Sequence, residues 1–178
     1  RQRHLTIPCE MCIRDRCYVD PKPAHWLDRP RATSEAEAIG AHPEACFVLG
    51  VAGVDPGSLA RRADLHARAI ALGGRALAIV HPDASRAADA RIGAGAQVFA
   101  LARLAADAGV GEGAIVNTGA IVEHGARVGA FAHVAPGAIV LGDAIVGAGA
   151  MIGAGAIVLP GARIADGAMV KAGTRVPA

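Results

Sequence analysis

The residues best suited to chemistry are two histidines in an otherwise bland tract. The stretch VNTGAIVEHGARVGAFAHV, residues 116–134, holds His124 and His133 nine residues apart, set mostly among Ala, Gly, Val and Ile. An imidazole ionises near pH 6.5, so its neutral form takes up a proton readily around neutrality. Acyl transfer to an amine or hydroxyl needs such a base within hydrogen-bond reach of the attacking atom. A surface histidine on a turn would read the same way, so the element that carries the pair has to be found.

That element is a repeat. Stepping by six from Ile92 to Val176 meets fifteen aliphatic residues without exception. Four places after each comes alanine, from Ala96 through Ala168, and finally Thr174. Gly is frequent one and three places after the aliphatic. One large and one small inward residue per six, followed by a tight turn, suits a short strand. Three such strands make a triangular coil of eighteen residues, and coils stack as parallel strands about 4.8 Å apart. The pattern predicts about five coils of left-handed parallel β-helix over 92–178. A helix fails here, because a period of six keeps no single face on a 3.6-residue turn. Gly at this density would also cost about 1 kcal/mol per residue in a helix interior.

On this ruler His124 falls two places after Val122, at or near a corner of the prism. His133 falls five places after Val128. One coil beyond His124 is Gly142.

Residues 17–81 follow a different pattern, strands and helices alternating as in part of an open α/β sheet. CYVD (17–20) ends a short strand, and SEAE (34–37) is a capping box that opens a helix. CFVLGVAG (46–53) is an apolar run ending in glycines, as a buried parallel strand does before a ligand-facing turn. DPGS (55–58) starts a helix that runs to about Leu72, with Leu65, Ala69 and Leu72 on its apolar face and Gly73-Gly74 as its stop. ALAIV (76–80) is the next strand, and 82–91 is a linker. Arg86 sits in the hexad phase without being aliphatic, so the regular prism is expected to begin after it. Asp20, Gly50 and Gly53, at strand ends and turns, are candidates to face a ligand. His66 is placed on a helix surface, His81 at a strand end, and His42 and His25 in loops.

Composition narrows the class. A formal charge of +2 with both signs scattered gives no basic footprint for nucleic acid. Glycine interrupts every apolar stretch, so neither a membrane span nor a signal peptide is read, and a soluble cytoplasmic protein is expected. Cys9 and Cys12 form a C-x-x-C, but Cys17 and Cys46 do not complete a second pair at metal-ligand spacing. No metal is expected. Residues 1–16, including EMCIRDR, are set aside as non-native or disordered. Flat Ala/Gly-rich faces suit side-by-side packing of three prisms, and the clefts between them suit an extended pantetheine arm.

From about Cys17 onward the chain resembles the sialic acid O-acetyltransferases and UDP-4-amino-sugar N-acetyltransferases, and VNTGAIVEHGARVGAFAHVAPGA (116–138) carries the most specific match. The resemblance implies an acetyl-CoA-dependent homotrimer in which a small Rossmann-like domain precedes the prism. It makes His124 the general base and places Asn117 by the acceptor, a nucleotide-activated amino sugar or sialic acid. It puts His133 on acetyl-CoA, and gives the Gly142 N–H an oxyanion role. Transfer would be direct, since the prism holds no cysteine. Relatives usually carry an acid immediately after the catalytic histidine, where this chain has Gly125. They also have a G-x-x-G-H-G-like loop, which is not found before CYVD. A γ-carbonic-anhydrase-like zinc site would need three histidines, and the prism tract offers two. The alternative to the enzyme is a truncated or non-catalytic hexapeptide-repeat binding or scaffold protein.

Overall fold

The structure, a computed structural model, describes residues 18–19 and 30–178. The expectations for residues 1–16, Cys17, Asp20 and His25 lie outside the described residues.

The six-residue beat winds into a parallel β-solenoid of two-residue strands. Its three ladders hold six, six and five strands. The first face runs Ile79–Val80, Gln97–Val98, Ile115–Val116, His133–Val134, Met151–Ile152 and Met169–Val170. The second runs from Ser85–Arg86 to Arg175–Val176 and the third from Arg91–Ile92 to Arg163–Ile164. Each rung pairs with the one eighteen residues away, so Val122 stacks on Val140 and Val140 on Val158. The second residue of each strand points inward: Val116, Val122, Val134, Val140 and Val158 are fully buried. The alanines from Ala96 to Ala156 in the same phase fill the core beside them, where a larger side chain would not fit. Burying each valine is worth roughly 1.5–3 kcal/mol, set against about 1–2 kcal/mol of backbone entropy per ordered residue.

The solenoid begins earlier than the unbroken aliphatic run. Ile79 and Ser85, the latter within the expected linker, donate N–H bonds to Ala96 and Ala102, at 2.8 and 2.9 Å. Val80 and Arg86 thus occupy inward phases of the first coil. Arg86 is exposed there, because an end coil has a neighbour on only one side.

Before the prism come β1 (Tyr18–Val19), β2 (Arg31–Ala32), α1 (Glu35–Ala41), β3 (Cys46–Phe47), α2 (Pro56–Ala71) and β4 (Arg75–Ala76). Among the described residues these strands form two separate parallel pairs, β1 with β2 and β3 with β4, where sequence led to an open sheet. The apolar run 46–53 stops pairing after Phe47, whose carbonyl takes the Leu77 N–H at 3.0 Å. Its later carbonyls bond side chains instead: Leu49 accepts from Gln97 Nε2 and Arg62 Nη1, and Val51 also accepts from Arg62 Nη1. ALAIV is likewise divided, Ala76 pairing with β3 and Ile79 with the prism.

Caps set the helix starts. Ser34 Oγ accepts from Glu37 N at 3.2 Å, and the Glu37 carboxylate accepts chiefly from the Thr33 N–H and hydroxyl, each at 2.7 Å, one residue earlier than the expected box. Asp55 and Ser58 cap α2 reciprocally, with Pro56 in the first turn. The buried stripe of α2 is Leu59, Arg62, His66 and Ala69, whereas Leu72 is 45% exposed. This corrects the expected face and the expected surface position of His66. The prism contributes Gly113 O to Arg62 Nε, at 3.2 Å, while Arg62 Nη2 finds no hydrogen-bond partner among the described residues. His66 lies edge-on to Phe47 and Phe131, ring centroids 5.3 and 5.2 Å away, with Nε2 2.8 Å from Glu112 Oε1.

Candidate active site

The turn between the second and third faces carries His124. Glu123 leaves the strand Ile121–Val122, and His124 and Gly125 form the corner before Arg127–Val128. Gly125 has φ +67°, the left-handed conformation this corner requires. Arg127 ties the corner down: its guanidinium donates to Gly125 O at 3.0 Å and to Asp107 Oδ2 at 2.7 Å. Asp107 also receives Arg91 at 2.6 Å. These cations hold the Asp107 carboxyl below its ordinary pKa, the Arg127 hydrogen bond contributing most.

The His124 ring is exposed and lies over Gly142, one coil on. A Cβ at position 142 would sit 2.6 Å from His124 Cε1 and 2.7 Å from Nε2, so only glycine leaves room for the imidazole in this pose. The Gly142 N–H finds no acceptor among the described residues. Bare N–H groups recur at this turn position, as at Ala106 and Ala130, while Thr118 and Ala148 donate theirs to Asn117 Oδ1 and Asp166 Oδ1, each at 2.8 Å; what is particular to Gly142 is the imidazole over it. An imidazole and a bare amide therefore share one groove. It encloses about 430 Å3 and is lined by Ile121, Glu123, His124, Ile139, Leu141, Gly142, Asp143 and Pro160. Glu123 does not orient the ring, because its carboxylate faces the His124 backbone N–H at 3.4 Å.

Asn117 and His133 form a second cluster, at the other edge of the second face. His133 is 3% exposed and sits beneath α2. Gly53 O can only accept, so His133 Nδ1 donates to it, at 2.5 Å, and Nε2 is left to accept from the Asn117 amide at 3.1 Å. Burial is the main cause that lowers the His133 pKa, which keeps the ring neutral, as this arrangement needs. The Asn117 carbonyl receives the Thr118 N–H at 2.8 Å, which fixes its amide toward His133.

Gly53 is part of this seam and not of an open turn. A Cβ there would lie 2.5 Å from Leu59 Cδ2, and its carbonyl is taken by His133. Gly50 is half-buried beside it. Sequence reasoning missed Arg62, which is fully buried and donates to the carbonyls of Leu49, Val51 and Gly113. Burial lowers its pKa to about 10. It also missed Asp143. The signal for Asp143 was at hand: one coil beyond Gly125 lands on it, as one coil beyond His124 lands on Gly142. Among the described residues no three His, Cys, Asp or Glu side chains converge as metal ligands would, and no helix is long and apolar enough to cross a membrane.

A family described as bacterial transferase hexapeptide (six repeats) matches residues 143–178. A comparison with curated protein sequences finds no match. Solved structures do match. The acetyltransferase domain of PglB from Neisseria gonorrhoeae FA1090, in complex with acetyl coenzyme A, is 28% identical, with a TM-score of 0.79 over 89% of this chain and 78% of that one. PerB, the perosamine N-acetyltransferase of Caulobacter crescentus, in complex with CoA and GDP-perosamine, is 30% identical, with a TM-score of 0.77 over 85% of this chain and 72% of that one. WeeI from Acinetobacter baumannii AYE shares the fold at 22% identity, with a TM-score of 0.65 over 90% of this chain and 81% of that one. With a solenoid of stacked hexads and a likeness to PerB that spans most of both chains, the protein belongs to the hexapeptide-repeat sugar acetyltransferases.

Proposed function

We propose that the protein transfers the acetyl group of acetyl-CoA directly to an amine or hydroxyl of a nucleotide-activated amino sugar, with His124 as general base. The observation that carries this is the exposed imidazole over the unpaired Gly142 N–H in a groove between coils. His124 takes a proton from the acceptor as its lone pair attacks the thioester carbonyl. The Gly142 N–H donates to the oxygen as negative charge develops on it. The carbon–sulfur bond then breaks, and the proton held on His124 passes to the CoA thiolate. The complex of PerB with CoA and GDP-perosamine favours a nucleotide-linked amino sugar over sialic acid as acceptor.

Asn117 lies by the acceptor in this reading. His133 serves acetyl-CoA through Asn117, since both of its ring nitrogens are engaged within the chain. Asp20 and Gly50 belong to the nucleotide-sugar side, in the unit ahead of the solenoid, and Gly53 braces that unit against His133. Assembly as a homotrimer is supported by two features. Ile121, Ile139 and Ile157 face outward, half-buried, along the second face. That same face separates His124 from the Asn117–His133 pair, so a neighbouring copy is needed to bring the two clusters to one cleft. A cytoplasmic location follows from the supply of acetyl-CoA and nucleotide sugars.

The test is thiol release from acetyl-CoA with a GDP- or UDP-linked amino sugar as acceptor. His124→Ala is expected to lower kcat by about 10²–10⁴, the usual worth of a positioned base. Turnover near that of the unaltered protein would remove the role.

A further inference from the structure

The corner that bears His124 has a column of its own. Asp89, Asp107, Gly125, Asp143 and Gly161 recur at eighteen-residue spacing, so the acids in this column bracket Gly125. Asp143 stands directly over Gly125. Its N–H donates to His124 O at 3.0 Å, which holds the two backbones one strand spacing apart, about 4.8 Å. Asp143 Oδ1 lies 2.1 Å from where a Cβ on residue 125 would be. The carboxylate therefore occupies the space of the side chain that Gly125 lacks.

Three further facts set Asp143 apart. It adopts φ +58°, a conformation that most of these corners assign to glycine. Asp107 shares that conformation, but its carboxylate is taken by Arg91 and Arg127. The Asp143 carboxylate has no hydrogen-bond or ion-pair partner among the described residues, and it lines the same groove as His124.

We propose that Asp143 is the positioning carboxylate for His124, an acid delivered from the adjacent coil in place of one next to the histidine in the chain. The inference rests on His124 being the base. As the imidazole takes the acceptor's proton, the exposed ring turns toward Asp143, and the carboxylate orients it and pairs with its positive charge. The other charged groups around the corner are committed elsewhere: Glu123 to the His124 N–H, Asp107 to two arginines, and Arg127 to Asp107 and Gly125 O. Asp143 is the carboxylate left free to act on the ring.

The experiment measures kcat, KM for acetyl-CoA and the pH dependence of kcat/KM in Asp143→Asn, with His124→Ala beside it. An orienting partner is commonly worth about 10–100-fold in activity. Asp143→Asn should lose that much kcat, leave KM within about two-fold, and shift the ascending limb of the pH profile downward, since a lost carboxylate lowers the imidazole pKa. Moving the acid, in the double variant Gly125→Asp with Asp143→Gly, should restore most of the lost kcat, because the exchange removes the clash and keeps a carboxylate at the corner. Unaltered kcat and pH limb in Asp143→Asn, with His124→Ala inactive, overturns the role of Asp143 and leaves His124 as base. A fall in kcat with an unmoved limb and no rescue marks a structural contribution and also overturns it. His124→Ala at full turnover overturns both readings.

Discussion

Replacing Gly142 with alanine isolates the position of the imidazole from every other part of the site. The added Cβ would stand 2.6 Å from His124 Cε1, 2.7 Å from Nε2 and 3.3 Å from Nδ1. Non-bonded carbon contacts settle near 3.5–4.0 Å, so the ring has to retreat by about 1 Å. His124 is exposed, so the ring can retreat at an off-rotamer cost of about 0.5–1.5 kcal/mol. Gly142 is not among the left-handed residues, so alanine fits its backbone, and the N–H remains in place to donate. The fold should tolerate the change, with a small gain from a stiffer unfolded chain of about 0.4–1 kcal/mol partly offsetting the displacement. Catalysis should not tolerate it: a 1 Å misplacement of a reacting group costs on the order of 10²-fold, equivalent to about 2.7 kcal/mol of transition-state stabilisation. Thiol-release kinetics and thermal unfolding on the same preparation read both quantities. A Gly142→Ala protein that turns over within about three-fold of the original would show that the ring does not work from above residue 142.

Leu59 is 1% exposed and clusters with Ala135 and Met151 where α2 meets the prism. Leu59→Ala should cost about 2–5 kcal/mol, read as an earlier loss of helical signal in urea. His133 adds a pH dependence. Its folded pKa lies below the ordinary 6.5 because of burial, so on acidification the unfolded chain takes the proton first. The stability it contributes is complete above about pH 6.5 and is lost as pH falls from there through the folded value. Urea midpoints measured from pH 7.5 down to 5 should therefore decline, and decline less in His133→Gln.

The sequence was sufficient for the body of the prism, though not for its onset at Ile79, because a solenoid maps chain distance onto space by a fixed step. Every ladder contact spans eighteen residues, so counting alone put His124 on a corner, Gly142 against its ring and Val122 beneath Val140. The inward phase had to be small and aliphatic, and that requirement is written in each hexad. The same count would have reached Asp143 from Gly125, but only the folded structure gives the 2.1 Å approach and the lack of a carboxylate partner among the described residues that single it out. The seam with α2 has no such step. Arg62 meets Gly113 across fifty-one residues and His133 meets Gly53 across eighty, separations tied to no period. His133 occupies the same outward phase as Ile115 and Met151, and nothing in its hexad records that a helix lies over it. Burial of His66, Arg62 and His133 was therefore settled by docking, which brings carbonyls and Glu112 to polar groups that the chain, read in order, presents as surface.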